Sequence, residues 1–219
     1  MSFYPHRILV FLLPTLFSMN DLLTQFILLF AVIDPIGTIP VYMASTIHYK
    51  QAEKKRIALK AVGISALILV FFVLAGELIL DMMDIPLSAF QIAGGIVLFI
   101  FALTMIFGES KPEDEIKSIR KNDDPSVFPL AIPSIASPGA MMAAVLLTDN
   151  TIHGFMDQFI TSLILLFVLL IVLLLLLGSH YIAKIIGHGG ASIISRVMGL
   201  LIASMAVKSV LTGITQYFF

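Results

Sequence analysis

Six long apolar stretches, separated by short polar loops, constrain the fold of this chain more than any other feature of its sequence. They lie at about residues 22–46, 57–80, 87–107, 127–147, 159–182 and 191–214. Each is close to the roughly 20 residues that a helix needs to cross a bilayer. Only 12% of the residues are charged, about half the share typical of soluble domains. The sequence therefore predicts an all-α, polytopic membrane protein with six transmembrane helices, embedded in a lipid bilayer.

Several classes of function have no support in the sequence. The chain has no cysteine, which excludes disulfides, zinc–thiolate sites and thiol catalysis. The five histidines show no metal-ligand spacing, and there is no HExxH motif, no Ser/His/Asp arrangement with catalytic spacing and no P-loop. We therefore expect no enzyme, no metal site, no cofactor and no nucleic-acid partner.

The chain divides into two halves of three spans each. The first three-helix repeat is predicted at residues 21–108 and the second at 127–219, with a charged cytoplasmic loop at 109–126 between them. Residues 1–20 form an N-terminal extension of uncertain role, because Met19 directly precedes the first span and could be the true start.

Basic residues concentrate in alternate loops and so predict the orientation of the chain. They are Lys50, Lys54, Lys55, Arg56 and Lys60 after the first span, and Lys111, Lys117, Arg120 and Lys121 after the third. The opposite loops carry Asp81, Asp84, Asp149 and Asp157. By the positive-inside rule, both termini are expected on the periplasmic side. Glu77, at the outer end of the second span, is expected to contact water.

Matching positions in the two halves indicate an internal repeat. Gly95 aligns with Gly199 at an offset of 104 positions (199 − 95), and Pro35 aligns with Pro138 at an offset of 103 (138 − 35). Three spans per half place the halves in opposite orientations, which is an inverted repeat. Inverted repeats with interrupted helices are typical of secondary transporters. Small residues spaced by four, including Ser195, Gly199 and Ala203, predict close helix packing.

The first and fourth spans are interrupted near their middles. Asp34-Pro35 combines a favoured N-cap residue with proline at the first helical position, and Ser137-Pro138 repeats this pattern. Each break frees backbone N–H groups at membrane depth, where only protein or a water-lined cavity can satisfy them. The alternative is that the prolines only kink two helices.

A helix N-terminus carries partial positive charge and binds anions, so the two breaks predict a cradle for a small solute with an anionic group. Gly37 and Gly139 leave room for a ligand to approach the backbone. Asp34 could bind a substrate ammonium, carry a coupling proton, or act only as an N-cap. The predicted substrate-binding residues are Asp34, Pro35, Gly37, Thr38, Pro40, Ser137, Pro138 and Gly139.

Four segments together resemble the MarC family of bacterial inner-membrane proteins, which is grouped with SnatA-type small neutral amino acid transporters. They are DPIGTIPVYM, QIAGGIVLFIFALTMIFGE, FPLAIPSIASPGAMMA and GHGGASIISRVMGLLIASMAV. The resemblance covers nearly everything after Met19. It implies a six-span inner-membrane protein, distantly akin to LysE-type exporters, that moves amino acids such as glycine or alanine.

The chain departs from the family's pattern at two sites. The family often has Gly at the position of Ser137, so this chain gains a hydroxyl that could cap the helix or contact substrate. It often has Arg at the position of Gln91, so an ion pair made there is absent or relocated here. The family also tolerates Asn at the position of Asp34, which argues against Asp34 as an obligatory proton carrier.

The resulting expectation is a secondary transporter of small neutral amino acids, coupled to a proton or a sodium ion. A zwitterion fits the cradle, because its carboxylate suits the helix N-termini and its ammonium suits Asp34 or freed carbonyls. The alternatives are an exporter or channel for another small solute, and a membrane subunit with no transport role.

Overall fold

The computed structural model describes residues 19–107, 116, 124–148 and 155–218, and every regular element in these ranges is helical. An irregular helical stretch, Ser126–Ile135, is called the entry segment here because it leads into α5. The regular helices are α1 (Met19–Ile33), α2 (Pro35–Ser45), α3 (Gln51–Met82), α4 (Leu87–Phe107), α5 (Pro138–Leu146), α6 (Phe155–Leu177) and α7 (Ser179–Phe218).

The described helices confirm the predicted fold class of an all-α, multi-pass membrane protein. Five of them are long and apolar enough to span a bilayer, with α1 and α2 counted as the single stretch Asp21–Ser45. The entry segment and α5 form a pair bent by 51°, which gives a sixth span when it is taken as one. Residues 1–18 of the predicted extension (1–20) and most of the predicted loop at 109–126 lie outside the described residues.

The loop predicted between the fifth and sixth spans, at residues 183–190, was wrong. α7 begins at Ser179, directly after Gly178, and continues to Phe218. No proline interrupts this stretch, and a continuous helix keeps each backbone N–H paired, so the glycines do not end it. Lys184 and Arg196 therefore lie on α7, and the Arg196 guanidinium donates to the Ile106 carbonyl at 3.3 Å.

Helices α4 and α7 pack closely in antiparallel directions. A Cβ added to Gly95 would lie 2.8 Å from the carbonyl oxygen of Ala206, and one added to Gly199 would lie 3.1 Å from that of Ala102. The two contacts are equivalent under the offset of 104 positions. Any antiparallel helix pair has this local symmetry, so the inverted repeat stays a prediction; what the two contacts show is a close backbone approach at both glycines.

Most of the other helix contacts follow the same exchange of halves, although the contacts of α7 with α1 and with α6 have no counterpart of similar extent among the described helices. α3 packs on α6. The contact of the entry segment with α3 corresponds to the contact of α1 with α6. The contact of α2 with the entry segment corresponds to that of α5 with α1. In the same way, the contact of α4 with α5 corresponds to that of α7 with α2. The two broken spans thus lie between the α3–α6 pair and the α4–α7 pair.

An ion pair between α3 and the start of the entry segment joins the first half to the second. Lys60 Nζ lies 2.6 Å from Asp124 Oδ2, and the Ser126 hydroxyl and backbone N–H donate to Asp124 Oδ1. The hydrogen bond from Lys60, followed by that from Ser126, lowers the pKa of Asp124 to about 2. Asp124 therefore stays charged at physiological pH and orders the start of the entry segment, although exposed pairs contribute little to stability.

The close α4–α7 contact at Gly95 and Gly199, called the glycine seam here, predicts matched effects of substitutions at these two residues. We expect Gly95→Ala and Gly199→Ala each to lower the free energy of unfolding by about 1–3 kcal/mol, because each new methyl group overpacks a backbone contact. The control is Gly63→Ala, where the space within 4 Å of the added Cβ is open and a gain of about 0.5–1 kcal/mol is expected. Unfolding in detergent with increasing denaturant measures all three. Two seam variants as stable as Gly63→Ala would contradict the packing.

Candidate functional site

The first broken span is interrupted at a single residue, Asp34. α1 ends at Ile33 and α2 begins at Pro35, while Asp34 has φ 51° and ψ 67° in the left-handed region. Its Oδ1 accepts a hydrogen bond from the Gly37 N–H at 3.0 Å. Asp and Asn tolerate the left-handed conformation better than most residues. The predicted break and the predicted N-cap are both confirmed.

The second carboxylate oxygen of Asp34 joins the break to the last helix. Oδ2 accepts a hydrogen bond from Ser195 Oγ on α7 at 2.6 Å. Asp34 is 1% exposed and Ser195 is fully buried. From the sequence, Ser195 was interpreted only as a small packing residue, because its partner lies 161 positions away and no local pattern connects the two.

Gly37 is required by the pair that Asp34 forms with Ser195. A Cβ at Gly37 would overlap the Asp34 carboxylate and would lie 2.6 Å from Ser195 Oγ. The space expected beside this glycine is therefore filled, in this conformation, by the protein's own polar groups.

A second set of hydroxyls links α2 to the other broken span. Thr38 Oγ1 donates to the Asp34 carbonyl at 3.0 Å, and Ser134 Oγ on the entry segment donates to Thr38 Oγ1 at 3.3 Å. Thr38 and Ser134 are fully buried. Ser134 is a further polar residue near the site, and no sequence pattern indicated it.

The second break has the predicted cap and a different environment. Ser137 Oγ accepts from the Ala140 N–H at 3.1 Å, which caps α5, and Pro138 occupies the first helical position. A Cβ at Gly139 would lie 3.2 Å from both Val32 Cγ1 and Leu98 Cδ2. This N-terminus is thus closed by apolar side chains, whereas that of α2 is closed by a carboxylate.

The structure brings the two breaks together inside the bundle. Val32, two residues before Asp34, packs on Gly139, and the hydroxyls of Thr38 and Ser134 bridge the same elements. Among the predicted site residues, Asp34, Pro35, Gly37, Thr38, Ser137 and Gly139 are buried near this junction, and Pro138 beside them is exposed. Pro40 lies farther along α2, where it lines a separate cavity.

Two more polar side chains, Glu77 and Gln91, have polar atoms inside the bundle. Glu77 was expected to contact water, but it is buried at 6% exposure. The reason is that α5 covers this end of α3, where Gly76 packs on Val145. Within the described part of the chain, Gln91 Oε1 is buried without a hydrogen-bond partner.

The sequence of this chain is similar to those of known membrane proteins over most of its length. The MarC family of integral membrane proteins matches this chain over residues 19–218. The chain belongs to the MarC family. This result confirms the family resemblance, while the SnatA-type grouping is a finer assignment that stays a prediction.

Relatives of this MarC-family protein occur in bacteria and archaea. It is 35% identical to a UPF0056 membrane protein of Methanocaldococcus jannaschii over 85% of this chain and 92% of the relative. It is 32% identical to one from Buchnera aphidicola over 93% and 96%. It is 29% identical to the UPF0056 inner membrane protein YhgN of Escherichia coli over 91% and 98%. No solved structure matches the chain.

Substitution of Asp34 should separate backbone strain from side-chain bonding, because Asp84 offers a matched control. Asp84 is exposed and has a similar left-handed φ of 53°. We expect Asp34→Ala to lower the free energy of unfolding by about 1–3 kcal/mol more than Asp84→Ala, since it also removes the cap and the partner of a buried hydroxyl.

Asp34→Asn should cost less than Asp34→Ala, because the amide oxygen can still accept from Gly37 and Asn tolerates the conformation. Denaturant titration of each variant in one detergent measures these differences. Equal losses for Asp34→Ala and Asp84→Ala would show that the bonds to Gly37 and Ser195 contribute nothing.

Proposed function

We propose that this MarC-family protein is a secondary transporter of small neutral amino acids, such as glycine or alanine, in the inner membrane. The observation that carries the proposal is the meeting of two capped helix breaks in the interior of the bundle. Interrupted helices that meet in this way form the substrate sites of many secondary transporters. We also infer that both termini are periplasmic, in keeping with the distribution of lysine and arginine.

The two breaks differ in charge, and this difference suits a zwitterion. Asp34 places a carboxylate at the N-terminus of α2, Pro35 has no N–H, and the cap uses that of Gly37. A substrate carboxylate is therefore disfavoured there, and an ammonium group is favoured. At α5 the cap is the neutral Ser137, so the Gly139 N–H and the positive end of the helix are suited to the carboxylate.

The close packing at both breaks favours a small substrate. Val32 and Leu98 contact Gly139, and Thr38 and Ser134 are fully buried. A ligand must displace some of these groups, and each extra methylene would require more displacement. A glycine or alanine side chain needs the least, which supports the size limit of the proposal.

The two halves differ in a way that supports two conformations. Under the offsets of the repeat, Asp34 corresponds to Ser137 and Ser195 corresponds to Gln91. Asp34 bonds to Ser195, yet the start of α5 packs on Leu98, seven positions from Gln91. Gln91 Oε1 is buried without a partner among the described residues. We infer a second state in which α5 moves along α4 towards Gln91 while α2 leaves Ser195.

Uptake of labelled glycine and alanine into proteoliposomes tests the transport function. We expect saturable uptake by the native protein, weakened about tenfold or more by Ser137→Ala. Ser204→Ala, an exposed serine on α7 that donates to the Leu200 carbonyl, serves as the matched control. Saturable uptake that is equal in both serine variants would remove Ser137 from the site, and uptake that rises linearly with concentration would point to a channel.

A proton gradient applied in the same assay tests the role of Asp34. If Asp34 carries the coupling proton, Asp34→Asn abolishes the stimulation by the gradient, while Asp84→Asn leaves it intact. If Asp34 binds the ammonium group, Asp34→Asn raises the KM and stimulation persists. Absence of uptake by folded native protein under proton and sodium gradients would overturn the amino acid assignment.

Disulfide cross-linking tests the second state, because the native chain has no cysteine. Gln91→Cys with Ala140→Cys places thiols at the counterparts of Ser195 and Gly37. We expect this pair to cross-link on oxidation, to an extent that changes when glycine is added. Met105→Cys with Gly199→Cys is the positive control, since a Cβ at Gly199 would lie 3.0 Å from Met105 Cβ, close to the Cβ separation of a disulfide. A control pair that links while the test pair never does would contradict the second state.

A further inference from the structure

A cavity of about 520 Å³ lies apart from the two breaks, at the end of the bundle that carries the first basic loop. Its walls come from the end of α2, the start of α3, and the junction of α6 with α7. Its lining includes Ile47, Lys54, Lys55, Leu177, His180 and Tyr181.

One side of this cavity is polar and basic. Lys54 and Lys55 on the first turns of α3 face it together with His180 near the start of α7, and no acidic side chain lines it within the described part of the chain. Lys54 is held in place through its backbone, because its carbonyl accepts from the buried Tyr42 hydroxyl at 2.9 Å. Two ammonium groups without a lining carboxylate favour an anionic occupant.

The opposite side is apolar and open to the exterior. Ile47 is 67% exposed, and Leu177 is 43% exposed at the end of α6. Leu174 and Leu170, about one and two turns earlier on α6, are also exposed, so this wall continues along an apolar helix face that points to the exterior. Tyr181 is 74% exposed and has the amphipathic character that places tyrosine at the membrane–water interface.

We propose that this cavity is a binding site for an anionic phospholipid. Lys54 and Lys55, with His180, bind the phosphate of the headgroup, and an acyl chain lies along Ile47 and Leu177. Basic pockets between transmembrane helices on the cytoplasmic side bind such headgroups, and a free phosphate would leave the apolar wall exposed. The proposal rests on the cavity alone and holds whether or not the protein is a transporter.

The absence of tryptophan makes a sharp test of this site available. Tyr181→Trp introduces one fluorophore at the cavity, and Phe71→Trp, at a 53% exposed position on α3, introduces one that reports on bulk lipid. Each protein is reconstituted into phosphatidylcholine bilayers that contain increasing amounts of brominated phosphatidylglycerol or brominated phosphatidylcholine. Bromine quenches tryptophan only on close approach.

We expect Tyr181→Trp to be quenched at a several-fold lower fraction of brominated phosphatidylglycerol than of brominated phosphatidylcholine. Phe71→Trp should show no such preference. Adding Lys54→Gln and Lys55→Gln to Tyr181→Trp should abolish the preference, while Lys208→Gln, which removes an exposed charge on α7, should not. Unchanged quenching of Phe71→Trp in the Lys54→Gln, Lys55→Gln background shows that the protein is still inserted.

Three results would overturn the proposal. One is equal quenching of Tyr181→Trp by the two lipids, and another is a preference that survives loss of both lysines. The third is relief of quenching by millimolar inorganic phosphate at constant ionic strength, which would assign the site to free phosphate.

Discussion

The Asp34 carboxylate is the contact on which the centre of this structure depends. One of its oxygens stops α1 and starts α2 by accepting from Gly37, and the other fixes that junction to Ser195 on the last helix. A buried carboxylate is costly in a membrane unless its oxygens are bonded. Because both partners are needed, the break in the first span and the position of α7 are determined together.

Around this junction the bundle has a close-packed part, the α4–α7 pair, and a less regular part, the two broken spans. The α4–α7 seam brings backbone to backbone at glycines and leaves little room for adjustment. The broken spans are held instead by hydroxyl contacts and by caps, and each such hydrogen bond contributes only about 0.5–1.5 kcal/mol net. Any motion of the protein should therefore be found in the broken spans, with the seam as the fixed frame.

The sequence predicted those features that depend on neighbouring residues, and it failed where distant residues decide. Asp34-Pro35 and Ser137-Pro138 specify helix starts locally, so both breaks were placed correctly. The partnership of Asp34 with Ser195, the burial of Glu77 beneath α5 and the filled space at Gly37 all depend on packing between elements far apart in the chain. The loop expected before the sixth span was wrong because the glycines there weaken a helix without ending it.

Those glycines determine where along α7 the helix bends most easily. The helix has 40 residues, about 60 Å at 1.5 Å per residue, so it is about twice as long as the hydrocarbon of a bilayer is thick. Its first turn borders the basic cavity, its middle holds Ser195, and Gly189 and Gly190 lie between the two. A Cβ at Gly189 would meet no atom within 4 Å, so packing does not require glycine there. Because glycine is a poorer helix former than alanine, a bend in α7 costs least at these two positions, which lie between the basic cavity and the partner of Asp34.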